Sequence, residues 1–151
     1  HAADVLSTEE QALVSALSAT HTWTGDSRHI YLDEGSIAKG LGGFIQFNFA
    51  RPENVDGFIQ ENLTLWKPYF EKTMDSMGMV NWGVGRKLAP LGANWAKVST
   101  WDMFNTLEEL MKYRIGYKLP ADLLKKSKMK DHNPDGFMMM PIFQMIANSA
   151  Q

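Results

Sequence analysis

The chain has 151 residues, of which 44% are hydrophobic and 21% charged, and its formal net charge is −2. This length and composition predict one globular domain rather than a disordered chain. The balanced charge excludes a bulk basic field of the kind that holds nucleic acid, and no apolar run approaches the roughly 20 residues of a membrane-spanning helix. The absence of cysteine removes disulfides, thiolate catalysis and metal–sulfur centres.

The chain begins with His1 rather than methionine. This start fits a processed product, a trimmed chain or a tag remnant. If the chain is a product of signal-peptide cleavage, we expect an exported protein, with the periplasm as one location. A native His1 would also offer copper its amine and imidazole, with further histidines or methionines as ligands. The compartment and this minor copper-binding alternative both stay open.

Residues 1–42 are predicted to be an N-terminal helix followed by an irregular arm. Ser7 and Glu10 have the spacing of a capping box, and apolar residues follow at helical spacing as far as residue 19. The next segment is rich in glycine and keeps no period, apart from a short strand at HIYL. Because histidine titrates near neutrality, His29 is the candidate catalytic acid–base residue, on a lid over the sheet. The alternative is that the arm only stabilises the fold.

Residues 43–151 have the pattern of one α+β domain. GFIQFNFA alternates as a strand, and an apolar stripe at helical spacing runs from Val55 to Met77 before a C-cap glycine, Gly78. Further strands are predicted at 79–89, 95–104 and 136–146, with a second helix that begins after Asn105 or Thr106. The order β–α–β–β–α–β predicts a ferredoxin-like, four-stranded antiparallel sheet with both helices on one face. A second copy of the chain, or the N-terminal arm, would cover the other face.

The first long helix contains a proline within the stretch ENLTLWKPYF. A proline inside a helix removes one backbone N–H and crowds the carbonyl four residues before it. We interpret Pro68 as a curvature device that bends the helix around the sheet. The alternative is a freed carbonyl near Thr64 that contacts a ligand or water.

Three short motifs carry a resemblance to a known superfamily. They are Trp66-Lys67-Pro68, the strand start from Gly78 through Trp82-Gly83, and the pair Trp101-Asp102. Over about residues 43–115 the chain resembles the dimeric α/β-barrel superfamily, and within it a group of largely uncharacterised bacterial proteins. The resemblance implies a ferredoxin-like homodimer, in a superfamily of cofactor-free monooxygenases, haem-handling enzymes, isomerases and proteins without known activity. A histidine that often follows two residues after the proline in that group is replaced here by Phe70.

Two amides on the first predicted strand of the domain are candidate ligand-binding residues. Gln46 and Asn48 alternate with the apolar residues Ile45, Phe47 and Phe49. If the apolar set packs under the helices, the two amides point to the open face of the sheet. A few polar groups within an apolar rim are typical of a ligand site. The alternative is that these amides pair across the dimer interface or meet water.

Arg86 and four aromatic residues complete the predicted site. An arginine among aromatic residues could grip a carboxylate with two hydrogen bonds, although Arg86 could equally lie in solvent at the end of its strand. Trp82 and Trp101 are expected to form walls. Trp66 and Tyr69 are the helix residues expected to contact the ligand.

Together these features predict a protein that binds or transforms a small, largely apolar or amphipathic molecule. The site is expected between the sheet and the long helix, and a carboxylate or a carbonyl is the candidate polar group of the ligand. No cofactor is predicted, and the spacing of the histidines indicates no metal site. The alternative is a non-catalytic dimeric module whose aromatic face serves only as an interface.

Overall fold

The structure is a computed structural model that describes residues 6–20, 29–89 and 94–146, and no side chains over residues 17–20. Within these ranges the protein is an α+β fold with one antiparallel six-stranded sheet and helices packed against it. The elements are α1 (Thr8–Thr20), β1 (Ile30–Ala38), β2 (Phe44–Ala50), α2 (Val55–Glu61), a π-helical turn (Asn62–Trp66), α3 (Lys67–Met77), β3 (Met79–Ala89), β4 (Val98–Phe104), α4 (Leu107–Gly116), α5 (Ala121–Lys126), α6 (Met129–His132), β5 (Phe137–Met139) and β6 (Ile142–Gln144). None of the described helices is both long and apolar enough to cross a membrane.

The sheet has six strands, whereas the sequence pattern predicts four. Its order is β1-β3-β4-β2-β5, and β6 also pairs with β2 along the same outer edge. The predicted last strand is divided because Pro141 has no N–H to give to a ladder, although its carbonyl accepts a 3.1 Å hydrogen bond from the Phe47 amide. The sixth strand is β1, which extends the predicted short strand at HIYL to nine residues.

Irregular pairing explains why β1 keeps no clear period in the sequence. Its register against β3 shifts between Ile30 and Tyr31 and again between Asp33 and Gly35. Each shift moves the following side chains to the other face, so that alternation is lost. A Cβ on Gly35 would lie 2.5 Å from the Leu63 side chain, so glycine lets β1 approach the π-helical turn.

The helix ends follow the predicted capping residues. Ser7 and Glu10 form the capping box of α1, through a 2.8 Å bond from the Ser7 amide and a 3.3 Å bond from the Glu10 amide. Thr106 and Glu109 cap α4 in the same way. Gly78 ends α3 with φ of 71°, a left-handed conformation that favours glycine. These predicted ends are confirmed.

The hydrophobic core lies between the sheet and the helices α2, α3 and α4. It comprises Ala50, Phe58, Ile59, Phe70, Met74, Met79, Trp82, Val84, Val98, Phe104 and Leu110, all buried. Burial of apolar side chains contributes about 25 cal/mol per Å² removed from water, so this cluster is the main source of stability. The helix stripe predicted over residues 55–77 supplies its Phe58, Phe70 and Met74.

The predicted orientation of β2 is wrong. Gln46 and Asn48 face the helices, where each is only 5% exposed. Phe47 and Phe49 face the opposite side of the sheet, where the Phe49 ring lies 6.0 Å from Tyr31 and Phe47 lies 5.9 Å from Phe143. Asn48 tolerates burial because it accepts from Gln46 and donates to polar residues of β4, whereas Oε1 of Gln46 has no partner among the described residues.

A widened turn precedes Pro68. The Lys67 amide donates to the carbonyl of Asn62, five residues back, instead of the four of an α-helix. In α geometry the proline ring would crowd the carbonyl of Thr64, and the wider turn makes room for it. The proline therefore follows a π-helical turn, a feature that the sequence prediction of simple curvature did not include.

Candidate functional site

A cavity of about 750 Å³ lies between the sheet and the helices. The strands β2, β3 and β4 form its floor, the α2–α3 helix forms one wall, and the chain from Leu119 to Asp131 closes the outer side. The lining residues are Asn48, Phe58, Asn62, Trp66, Phe70, Trp82, Thr100, Asp102, Tyr113, Leu119, Leu124, Ser127, Lys128, Met129, Lys130, Asp131 and Phe137. This size suits a small molecule.

The floor carries a connected set of polar side chains. The β2–β4 register places Gln46 opposite Asp102 and Asn48 opposite Thr100. Gln46 Nε2 donates to Asn48 Oδ1 at 2.7 Å. Asn48 Nδ2 then donates to Thr100 Oγ1 at 3.1 Å and to Asp102 Oδ2 at 2.7 Å. Because its oxygen accepts from Gln46, the Asn48 amide is held with its nitrogen towards Asp102.

Asp102 is a buried carboxyl group in the wall of this cavity. Its residue is 4% exposed, and among the described residues no Lys, Arg or His side chain forms an ion pair with it. Burial raises its pKa from 3.8 to about 6, against the lowering effect of the hydrogen bond from Asn48. A carboxyl group that titrates near neutral pH can both take up and return a proton.

Tyr113 of α4 contributes a phenol to the same cavity. Its ring packs 5.3 Å from that of Phe104 and 5.5 Å from that of Tyr117, measured between centroids. Burial, followed by the negative charge of Asp102, raises the pKa of Tyr113 well above its usual value. The phenol therefore stays protonated at neutral pH and keeps a proton that it can donate.

Aromatic rings form the apolar wall. Phe70 stacks on Trp82 with centroids 5.2 Å apart, and Trp66 stacks on Phe70 at 6.5 Å. Phe58, which is fully buried, completes this wall. Flat aromatic surfaces favour a planar apolar ligand, which gains both burial and offset stacking.

The π-helical turn places a polar residue within this apolar wall. Asn62 is 4% exposed, and its Nδ2 donates to the carbonyl of Phe58 at 2.8 Å. Asn62 also lines the cavity. Such turns often occur at functional sites because they redirect side chains that an α-helix would place elsewhere.

Glu61 fastens the chain segment that closes the cavity. Its side chain is 9% exposed and accepts hydrogen bonds from Ser127 Oγ at 2.6 Å and from the Lys128 amide at 2.8 Å. It also accepts from Trp66 Nε1 at 3.0 Å, and His132 Nε2 lies 3.7 Å away. One carboxylate thus joins the aromatic wall to residues 127–132, which we call the lid.

Three of the predicted ligand-binding residues line the cavity: Asn48, Trp66 and Trp82. Gln46 does not line it but hydrogen-bonds to Asn48. Tyr69 lies outside, with its hydroxyl bonded to that of Tyr117.

The other three predicted site residues lie away from the cavity. Trp101 lies on the opposite face of the sheet, where its Nε1 donates to Asn81 at 2.9 Å. Arg86 forms ion pairs of 2.7 Å with Glu34 and with Asp56, so its guanidinium is already occupied by carboxylates of the chain itself. His29 packs 5.5 Å from the ring of Trp95, also on the far side.

Sequence reasoning missed Asp102, Thr100, Asn62 and Tyr113. A signal for the first two existed, because Thr100 and Asp102 lie two residues apart on one face of β4, as Gln46 and Asn48 do on one face of β2. Two neighbouring strands with matched polar positions predict a shared polar patch. Nothing in the sequence marks Tyr113, whose role depends on how α4 lies over the sheet.

A second, more open cavity of about 690 Å³ lies between α3 and α4. Its two charged lining residues, Glu108 and Lys112, pair with each other at 2.8 Å. The cavity under the lid is the better candidate site because it holds the buried Asp102.

No group of three or more metal-ligating side chains occurs within the part of the chain that the structure describes. His1 and the copper site predicted on it lie outside that part. No protein-family model, curated protein or solved structure matches the chain. The geometry of the site is therefore what bears on the function.

Proposed function

We propose that the protein binds a small, largely apolar molecule in the cavity under the lid and exchanges a proton with it through Asp102. The observation that carries this proposal is a buried carboxyl group with a pKa of about 6 in a cavity walled by aromatic rings. Stability alone does not explain such a group, since burial disfavours its charged form and no ion pair among the described residues compensates for this cost.

The pKa suits acid–base work at neutral pH. At pH 7 the ionised form of Asp102 exceeds the protonated form by about tenfold, so the group is ready to accept a proton. Because little water surrounds it, the carboxylate is also more basic than an exposed aspartate. The aromatic wall supplies binding energy, and the Asn48 amide holds the carboxylate in place.

Binding can be tested with naphthalene as the probe, followed by ¹H–¹⁵N NMR. We expect the largest shifts at amides around the cavity, and tighter binding at pH 5 than at pH 8. An apolar probe displaces water from Asp102 and penalises its ionised form, so a shift of one pKa unit on binding gives about a tenfold change in affinity. In Asp102→Asn the affinity should not depend on pH over this range.

A pair of tryptophan substitutions supplies the control. Leu124 lines the cavity and is 51% exposed, whereas Leu107 is 45% exposed and does not line it. Leu124→Trp should block binding and Leu107→Trp should leave it unchanged. Equal binding by both variants, or no binding by the wild-type protein, would contradict the proposal.

We also propose that β2, β3, β4 and the β5–β6 pair form a ferredoxin-like unit and that two chains associate through the sheet face opposite the helices. The support is an aromatic surface on that face, where Phe47, Phe49 and Trp101 are partly exposed and Phe143 is 51% exposed. This arrangement is also what the resemblance to dimeric α/β barrels implies. The proposal concerns association alone and is independent of the chemistry of Asp102.

Light scattering coupled to size-exclusion chromatography tests the association. We expect a dimer for the wild-type protein and a monomer for Phe143→Glu, because a charge would then be buried in the interface. Ile115→Glu is the matched control, since Ile115 is 77% exposed on α4 and lies away from that face. A monomeric wild-type protein would overturn the proposed dimer.

A further inference from the structure

Two proton-bearing groups from different elements line the cavity under the lid. Asp102 comes from β4 and Tyr113 from α4, and both line the cavity. Asn48 donates to Oδ2 of Asp102, and this is the one side-chain hydrogen bond that Asp102 makes among the described residues. Within the same residues the Tyr113 hydroxyl makes no hydrogen bond, although its ring is fixed by Phe104 and Tyr117. Each group therefore keeps one polar atom available for a ligand.

We propose that Asp102 and Tyr113 act together on an uncharged apolar ketone, as the base and the oxyanion donor of an enolisation. This inference rests on the proposed function and names its substrate class. Tyr113 presents a donor to the carbonyl oxygen, and Asp102 presents an acceptor to a C–H bond next to that carbonyl. The phenol raises the acidity of that C–H bond by stabilising the charge that develops on oxygen.

The proton and the electrons balance without any further reactant. The carboxylate of Asp102 forms an O–H bond with the proton of the adjacent carbon, and the C–H bond breaks. Its electron pair forms a carbon–carbon double bond while the carbonyl π pair moves to oxygen, where the Tyr113 O–H donates to it and keeps its own proton. Asp102 then returns this proton, or a solvent proton that has replaced it on the carboxyl group, to the same carbon or to a conjugated one, which gives the original ketone or its isomer.

The buried carboxyl group of Asp102 favours a ketone over a carboxylate as substrate, since the two lysines of the cavity lining, Lys128 and Lys130, are exposed on the lid, where solvent screens their charge. A ligand carboxylate beside Asp102 would bring two like charges together in a site with little water, which costs free energy. The arginine that could have gripped a carboxylate, Arg86, is engaged by Glu34 and Asp56 outside the cavity. A carbonyl oxygen, by contrast, needs only the donor that Tyr113 provides.

Exchange of C–H protons for deuterium reports the reaction directly. We would incubate 2-tetralone, a bicyclic ketone with acidic C–H bonds, with the protein in D₂O and follow its C1 protons by NMR. The wild-type protein should accelerate exchange of the C1 protons. With Asp102→Asn the exchange rate should fall to that in buffer alone. Loss of one oxyanion donor in Tyr113→Phe should slow exchange by about a hundredfold.

Tyr117→Phe is the matched control, because Tyr117 neighbours Tyr113 but does not line this cavity. This variant should catalyse the exchange of 2-tetralone protons at the wild-type rate. A wild-type rate in Tyr113→Phe would overturn the role of Tyr113. Binding of 2-tetralone without exchange above the buffer rate would overturn the enolisation while the proposed binding function survived.

A binding comparison separates the donor role of Tyr113 from a structural one. 2-Naphthol has the planar shape and oxygen of the enol of 2-tetralone, whereas naphthalene lacks the oxygen. Tyr113→Phe should lower the affinity for 2-naphthol by about tenfold, which is the scale of one hydrogen bond. The affinity for naphthalene should not change. Equal loss for both probes would mean that the phenol only maintains the cavity, and would contradict the inference. If neither probe bound the wild-type protein, the proposed function itself would fail.

Discussion

Asn48 donates a 2.7 Å hydrogen bond to the carboxyl group of Asp102, across the pair of central strands β2 and β4. This bond and the burial of Asp102 act on its pKa in opposite directions, and burial has the larger effect. The chain thus holds a carboxyl group that is partly, rather than fully, stabilised in its charged form. Such a balance costs folding stability and gives proton affinity near neutral pH.

The first prediction concerns stability and pH. The folded pKa of Asp102 is about 6 and the reference value is 3.8, so the folded state binds the proton more tightly. The stabilising effect of this proton is complete below the unfolded pKa and is lost as the pH rises through the folded one. From pH 4 to pH 7 the wild-type protein should lose up to about 3 kcal/mol relative to Asp102→Asn.

Urea denaturation of both proteins at pH 4, 5, 6 and 7 measures this difference. Asp135→Asn is the control, since Asp135 is exposed. The difference in the free energy of unfolding between wild type and Asp102→Asn could instead stay constant over this range, or grow in favour of the wild-type protein at high pH. Either result would show that ionisation of Asp102 does not destabilise the folded state.

The second prediction concerns Asn48. Replacing Asn48 by leucine removes the hydrogen bond that lowers the pKa of Asp102, so that pKa should rise further. ¹³C NMR of the labelled aspartate carboxyl groups would show the change, with Asp102→Asn used to assign the signal. A fall in the pKa of Asp102 would contradict the role given to Asn48.

The third prediction concerns the lid. Glu61→Ala removes the acceptor shared by Trp66, Ser127 and the Lys128 amide, and leaves these donors to find water. We expect a loss of about 2 kcal/mol in the free energy of unfolding. Hydrogen exchange of residues 127–132 should accelerate by more than this global loss predicts, because the lid opens locally.

Mass spectrometry of deuterated peptides measures the opening of the lid. Glu53→Ala is the control, because Glu53 is exposed and precedes the same helix. Unchanged exchange in the lid of Glu61→Ala would mean that packing, rather than this carboxylate, holds the segment closed.

The fourth prediction compares two glycines. A Cβ on Gly57 would lie 2.4 Å from His132 Nδ1 and 2.6 Å from Asn54 Nδ2, whereas a Cβ on Gly116 would meet nothing within 4 Å. Gly57→Ala should therefore destabilise the protein by about 1–3 kcal/mol through overpacking. Gly116→Ala should stabilise it by about 0.5 kcal/mol, since alanine has less conformational entropy to lose. Thermal or urea unfolding of the two variants tests the contrast, and equal effects would contradict it.

Local signals predicted the helices well because their causes are local. The capping pairs at Ser7 and Thr106 and the glycine at Gly78 satisfy backbone groups within a few residues, whatever the rest of the chain does. The sequence likewise predicted that β2 alternates. Alternation defines two faces of a strand but does not say which one meets the helices.

The site was only partly predicted because its character depends on that choice of face. Apolar Ile45, Phe47 and Phe49 look like the core face of β2. In the structure the polar face is buried instead, because Asn48 finds partners in β4 and Gln46 donates to Asn48. Partners from another strand are not visible in the alternation of one strand. The same holds for Arg86, whose partners Glu34 and Asp56 come from segments distant in sequence.

The π-helical turn before Pro68 has a consequence for insertions and deletions in this region. Such a turn is equivalent to one residue inserted into an α-helix. The helix before the turn and the helix after it are therefore offset from one another by one residue of winding. Deleting the exposed Thr64 would restore uniform winding and rotate Glu61 and Asn62 by about 100° relative to Phe70. The carboxylate that fastens the lid and the aromatic wall would then no longer face the same space. A single-codon change in length at this point would therefore remove the cavity without altering any residue that lines it.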